Sequence, residues 1–398
     1  MKRTNILFFI AAAALLSSLC GIFFYQDFVP ASTASIEKVN KNIVQFSADT
    51  AKKELKLCSL AYDKDLLKKE LADRGYKNFE YFEKTQETNY SNGIAFGIAS
   101  CQRGNFNYIS IVFRGTYDRE WYSNFQIGEG VEHAGFSAAA DFSVKSIDAY
   151  IEKQKLNAQN TILNLTGHSR GAAVSNICAK RYTDREQFSS ISAYNFACPN
   201  TTTDSESKST QYQSIYNIIN PEDFICYIPL SAWNYSRYGT DIFLPCKDTK
   251  GYYDLYRSMQ DKYFENTQSS HSGYPDGDRD VKRFITALSE ICPTVHDYYN
   301  TEITLFPHRV TMYEYMQSAA AFLSSDQTLS HGMILLSSGT SKMFTPLSEF
   351  IMQGLSLDSM ESTDITGGAM GCAHCYDTYN AWLSILESGY FDAFILRE

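Results

Sequence analysis

The chain has 398 residues, 44% of them hydrophobic and 14% aromatic, enough to bury the core of one large α/β domain with insertions or of two modest domains. A formal net charge of −10 excludes an ordinary nucleic-acid binder, which needs clustered Lys and Arg to neutralise phosphate. Ten cysteines at this length do not make a disulfide scaffold.

Lys2 and Arg3 precede an uncharged apolar run from Ile6 to Tyr25. A basic start followed by an apolar run reads as an export signal. The run is also about long enough to cross a bilayer and stay as an anchor, and Ser32-Thr33-Ala34 supplies small residues for cleavage. Residues 1–34 are therefore read as a signal peptide or an N-terminal membrane anchor, which places the body of the protein in a secreted or cell-envelope location. A lipoprotein reading of Cys20 is disfavoured by Leu19, where that signal wants a small residue.

From Ser35 to Tyr76, Val39, Ile43, Val44, Leu55, Leu57 and Leu60 recur at helical spacing among lysines, the pattern of a scaffold helix pair. Asn92–Cys101 and Phe106–Phe113 read as consecutive strands around an Arg103-Gly104-Asn105 turn. The second strand ends in Phe113-Arg114-Gly115-Thr116, with Trp121 shortly after. The stretch Tyr117–Gly130 mixes aromatic and acidic residues and suits either an amphipathic flap or a surface loop. A helix is expected from Ser137 towards Lys153, opened by His133-Ala134-Gly135-Phe136, with His133 structural.

Thr161-Ile-Leu-Asn-Leu-Thr166 then reads as a covered strand, and Ala172, Ala173, Val174, Ile177 and Cys178 as the apolar stripe of a helix. Between them stands Gly167-His168-Ser169-Arg170-Gly171. A G-x-S-x-G at a strand-to-helix turn lifts a serine hydroxyl into the open, at a backbone strain of roughly 1–3 kcal/mol. An ordinary Gly-Ser turn shows the same five residues; the strand before and the helix after decide for a nucleophile at Ser169. Strands follow at Ser190–Phe196 and Gln213–Ile219, and the latter runs into Asn220-Pro221-Glu222-Asp223, which puts a carboxylate at a strand end.

These motifs resemble the class 3 lipases, the fungal-type triacylglycerol lipase family. The resemblance rests on Phe113-Arg-Gly-Thr116 with Trp121, on His133-x-Gly-Phe136, on the elbow, and on Asn220…Asp223…Pro229. It implies an α/β-hydrolase fold with a mixed central sheet, flanking helices and an inserted mostly helical cap. It also implies that Thr116 helps to form the oxyanion hole, that Asp223 is the catalytic acid, and that the histidine comes last. The backbone N–H of Arg170, at the start of the elbow helix, is the natural second donor.

Two histidines suit the base. His374 lies in Cys372-Ala-His-Cys375 after the glycine-rich Thr366–Gly371 and before Tyr379, Trp382 and Leu383; His296 lies at a spacing from Asp223 closer to the compact fungal pattern. His374 is favoured, because a histidine on a loop before a closing helix fits the fold. Cys372 and Cys375 read as a redox pair, half of a zinc site or a local bridge. No second CxxC completes a zinc ribbon.

The resulting organisation is an α/β-hydrolase core over residues 35–230, a helical cap over 231–344 ahead of a final strand, and a C-terminal part of the core, 345–398, carrying the histidine. The expected activity is cleavage of carboxylic esters of lipids through an acyl-enzyme, by Ser169, Asp223 and His374, with no metal or organic cofactor. A lipid or ester small molecule is the expected partner, with a membrane surface as a second candidate and nucleic acid excluded. A phospholipase or thioesterase with the same triad, and a membrane-tethered binding protein of the same fold, are the alternatives.

Overall fold

A computed structural model describes residues 44–84, 93–117, 120–273, 275, 277–305, 308–323 and 369–394. The export segment, the boundary at 344 and the glycines at 367 and 368 lie outside the described residues. Ser47 accepts the Thr50 N–H and starts helix α1, Ala48–Leu60; Asp63 accepts two N–H groups and starts α2, Lys64–Asp73. Both are side-chain N-caps, which satisfy donors that have no partner inside the helix.

Three antiparallel strands follow, β1 (Lys77–Lys84), β2 (Ile94–Arg103) and β3 (Phe106–Phe113). The short α3 (Trp121–Asn124) and the long α4 (Ala134–Lys153) lead to β4 (Thr161–His168). Helix α5 (Arg170–Arg185) leads to β5 (Ser190–Phe196), and β6 (Ile215–Ile219) and β7 (Thr240–Phe243) complete the sheet. Strand order is β1 to β7 as in the chain, and every pair from β3 onward is parallel. A mixed sheet of this kind needs both faces covered. Along β5, Ile191 and Ala193 turn to one face, where Phe136, Ile147, Val174 and Ile177 of α4 and α5 cover them. Tyr194 and Phe196 turn to the other, with Leu55 of α1.

The second face is finished from far along the chain. Helix α6 (Tyr252–Thr267) brings Tyr256 and Met259 to it. Next come α7 (Gly277–Ile291), α8 (Val295–Asn300), the hairpin β8 (Glu302–Leu305) and β9 (His308–Thr311), and α9 (Met312–Leu323). Two adjoining helices, α10 (Ala369–His374) and α11 (Tyr376–Ile385), return to the sheet, where Trp382 and Leu383 are buried beside Tyr256 and Leu55. Each large apolar side chain buried this way contributes about 1.5–3 kcal/mol.

The expected cap over 231–344 divides differently. Thr240–Phe243 is a strand of the main sheet and α6 belongs to the core; it is α7, α8 and α9 that share a separate apolar cluster, with Trp233, Phe284, Leu288, Tyr298 and Met312. A four-residue strand with two polar members, Thr240 and Asp241, carries too little alternation to be read from sequence. Among the described residues, the last strand of the main sheet, β7, precedes the helical insertion, and the expected final strand after it would fall outside the described residues.

Candidate active site

Ser169 is the N-cap of α5, at φ 58° and ψ −128°, a left-handed geometry that a side chain adopts only when its surroundings impose it. Its N–H donates to Phe196 O at 2.9 Å. A Cβ on Gly167 would run into the backbone of Gly171, and one on Gly171 would sit 2.6 Å from Arg114 O. Both glycines are thus demanded by close approach of backbone, and the serine side chain points outward from the bend.

His374 ends α10 beside that serine. Its Nε2 lies 2.9 Å from Ser169 Oγ and its Nδ1 2.8 Å from Asp223 Oδ2. Since a carboxylate only accepts, Nδ1 carries the proton and Nε2 is left to accept the serine hydroxyl. Asp223, fully buried after β6, also accepts the Ile225 N–H at 3.1 Å on Oδ1 and the Tyr379 hydroxyl at 2.9 Å on Oδ2. Burial and the neighbouring carboxylate push the Tyr379 hydroxyl well above its ordinary pKa, so it stays a donor.

Backbone contacts set the imidazole's place. His168 Nε2 bonds the His374 carbonyl at 2.8 Å, and Asn220 Nδ2 donates to Ala373 O at 2.9 Å. Burial pushes the His168 pKa down to about 3, so it bonds that carbonyl as a neutral ring. His296 is placed elsewhere: it is exposed on α8 with Asn300 as its partner. Glu222, one position before Asp223, faces away, accepting Tyr252 and Tyr256 hydroxyls at 2.8 and 3.3 Å.

Thr116 follows β3, across from the elbow. Its Oγ1 accepts Asn124 Nδ2 at 2.9 Å, and that polarity leaves the Thr116 proton free to donate. Asn124 Oδ1 in turn accepts Arg170 Nη1 at 2.9 Å, while the buried Arg170 guanidinium also donates twice to Gly93 O. The Arg170 side chain is thus a brace between the elbow and the Thr116 loop, while its backbone N–H opens α5. Arg114 is a structural ion-pair partner, bonded to Glu120 and Glu83 at 2.9 Å each. His133 caps α4, accepting the Phe136 N–H on Nδ1 and contacting Asn124 O through Nε2.

The stretch expected as flap or loop is tied to the insertion. Tyr298 donates to Phe125 O at 3.1 Å, Gly128 N–H donates to Tyr299 Oη at 2.8 Å, and Gln317 Nε2 donates to Tyr122 O at 3.1 Å. The roles of His168, Arg170's side chain and Tyr298 are not visible in the sequence, because each acts on a residue brought near only by the fold. Among the described residues no group of three or more His, Cys, Asp or Glu is arranged to hold a metal, and no helix is long and apolar enough to cross a membrane. An open hollow lined by Val131, Glu132, Asp141, Lys180, Asp204 and Tyr238 shares no wall residue with Ser169, Asp223 or His374.

A mixed sheet in sequential parallel order, a strand–serine–helix bend and an imidazole between serine and carboxylate define an α/β-hydrolase of the serine type. Residues 102–233 match the family model described as Lipase (class 3), so over that stretch the chain is similar to class 3 lipases, as its motifs imply, and the match supports a carboxylic ester hydrolase. No curated protein matches the chain. Among solved structures, the Rhizomucor miehei lipase propeptide complex is 17% identical with a TM-score of 0.39, covering 49% of this chain and 68% of the other. The lipase from Rhizopus microsporus var. chinensis is 14% identical with a TM-score of 0.37, covering 55% and 84%. The fold assignment rests on the sheet and the bend rather than on these distant likenesses.

Proposed function

We propose that this protein hydrolyses carboxylic esters of lipids through an acyl-enzyme, with Ser169 as nucleophile, His374 as general base and acid, and Asp223 as the group that orients and stabilises the imidazolium. The observation that carries the reading is the continuous hydrogen-bonded path from Ser169 Oγ through His374 to buried Asp223. Attack by Oγ on the ester carbonyl passes the hydroxyl proton to Nε2, and the imidazolium hands it to the leaving alcohol. Water then repeats the sequence on the acyl-enzyme. Thr116, by its N–H and hydroxyl, and the Arg170 N–H would hold the oxyanion, each donor lowering the barrier by about 2.7–4 kcal/mol.

The test is covalent labelling of the full chain with a fluorophosphonate, together with turnover of an ester panel of increasing acyl length. Labelling that disappears in Ser169→Ala supports the reading. An unlabelled wild type, or a variant that still labels and turns over, overturns it. We further infer export or envelope anchoring, because the basic residues at 2 and 3 lead an apolar run. Cell fractionation with N-terminal sequencing of the product checks that inference, and a cytoplasmic full-length product would reject it.

A further inference from the structure

The histidine proposed as base is flanked by two thiols that the hydrolytic reaction does not use. Both are free. Cys372 is buried in the last turn of α10, while Cys375 is half-buried and is the N-cap of the ten-residue α11. Their sulphurs converge on one oxygen, Thr378 Oγ1, at 3.9 and 3.4 Å. Cys375 Sγ donates to the Cys372 carbonyl at 3.0 Å, the same carbonyl that accepts the Cys375 N–H at 3.3 Å and the Thr378 hydroxyl at 2.6 Å.

An imidazole stands beside them. His271 is buried, bonds Thr378 Oγ1 at 3.1 Å through Nε2, accepts the Gly273 N–H on Nδ1, and meets Tyr263 edge-on at 5.0 Å. The Cys375 thiol and then His271, acting against burial, hold the Cys372 pKa well below that of an ordinary thiol. Cysteines buried in apolar surroundings are inert, and a second thiol or an imidazole nearby makes one reactive.

We propose that Cys372 and Cys375 form a redox-active dithiol whose closure to a disulfide displaces His374 and lowers hydrolysis. The proposal rests on His374 acting as the base for Ser169. A small disulfide RSSR reaches the half-buried Cys375 first. Cys375 attacks RSSR as its proton passes to the Cys372 thiolate, giving Cys375–S–SR and RS⁻, which takes a proton from solvent. The Cys372 sulphur then attacks the Cys375 sulphur, and the proton it had received leaves on the second RSH. The two cysteines lose two electrons and the oxidant is reduced to two thiols. Closure takes Cys375 Sγ off the Cys372 carbonyl and reshapes the turn that contains His374. A shift of about 1 Å in a catalytic group costs roughly 10²-fold in rate.

The test equilibrates the full chain in glutathione buffers from fully reduced to fully oxidised, then maps disulfides by peptide mass spectrometry and follows fluorophosphonate labelling and amide exchange across residues 369–378. The expected result is a Cys372–Cys375 bridge, slower labelling by roughly 10²-fold, recovery on reduction, and changed exchange in that segment. Cys375→Ser and Cys372→Ala should label at one rate across all buffers. Failure of the bridge to form while the reduced chain labels overturns the inference and leaves the hydrolase reading standing. A bridge with unchanged labelling also overturns it. Absent labelling in the fully reduced chain rejects the hydrolase reading, and with it a switch acting on hydrolysis.

Discussion

His374 is fixed at four points: by Ser169 and Asp223 at its ring, by His168 at its carbonyl, and by Asn220 at the preceding carbonyl. Tyr379 adds a hydroxyl to the same Asp223 oxygen that receives the imidazole. A hydrogen bond to a buried charge contributes about 1.5–3 kcal/mol. Tyr379→Phe should therefore lower kcat roughly 10- to 100-fold with KM little changed and the fold intact, as steady-state kinetics and circular dichroism would show. An unchanged kcat would remove Tyr379 from the positioning of the acid. At this scale the sequence was most legible where local geometry dictates the residue. Ser169 stands out because Gly167 and Gly171 are required by backbone contact. Asp223 and His374 were singled out by motif, and the fold brings both to the serine. His168 carries no local signal, since its partner is a carbonyl 206 positions away.

The elbow is the element under strain, and its cost is met by packing on both sides. Gly167→Ala would drive a methyl into the Gly171 backbone. We expect it to abolish labelling of Ser169 and to lower the denaturation midpoint, with a cost of about 1–3 kcal/mol from overpacking; a labelled, stable variant would contradict the geometry. The segment from α3 to Gly128 is held differently, by side chains of the insertion. Tyr299→Phe leaves the Gly128 N–H without its acceptor, a loss of about 0.5–1.5 kcal/mol for a half-buried bond. Amide exchange across residues 121–130 should accelerate, while exchange in β4 stays unchanged. The strands around the elbow were legible because each is a run of apolar residues closed by a turn. The fate of residues 231–323 was not: β7 is too short to show a period, and whether a helix joins the core or the insertion depends on which surface is already open when it docks.

For the molecule as a whole, pH acts on stability from both sides. Burial pushes the Glu222 carboxyl from 4.5 up to about 7. Between those values the unfolded chain has released a proton that the folded chain keeps, so stability falls as pH rises through this window. Burial drives His133 and His168 the other way, from 6.5 down to about 3. Below pH 6.5 the unfolded chain takes up protons that the folded rings refuse, so stability falls as pH drops. Glu54, likewise pushed by burial from 4.5 up to about 7, acts with Glu222, so the carboxyl and imidazole effects oppose between pH 4.5 and 6.5. Denaturant melts at stepped pH should show stability rising from pH 3 to 4.5 and falling above pH 6.5. Glu222→Gln should shift the net slope between pH 4.5 and 7 upward by an amount on the order of 1–3 kcal/mol over that window, leaving the rise below pH 4.5 in place. An unaltered slope in that variant would show that Glu222 is not the titrating group.

The sheet is wound in the order in which the chain is written, so each strand finds its neighbour already made. The imidazole arrives only with the segment after residue 368, on helices that seal the second face. A chain that has passed Ser169 but lacks His374 holds the serine without the imidazole that meets it in the folded protein. Under the proposed mechanism, hydrolysis therefore waits for the docking of the two closing helices.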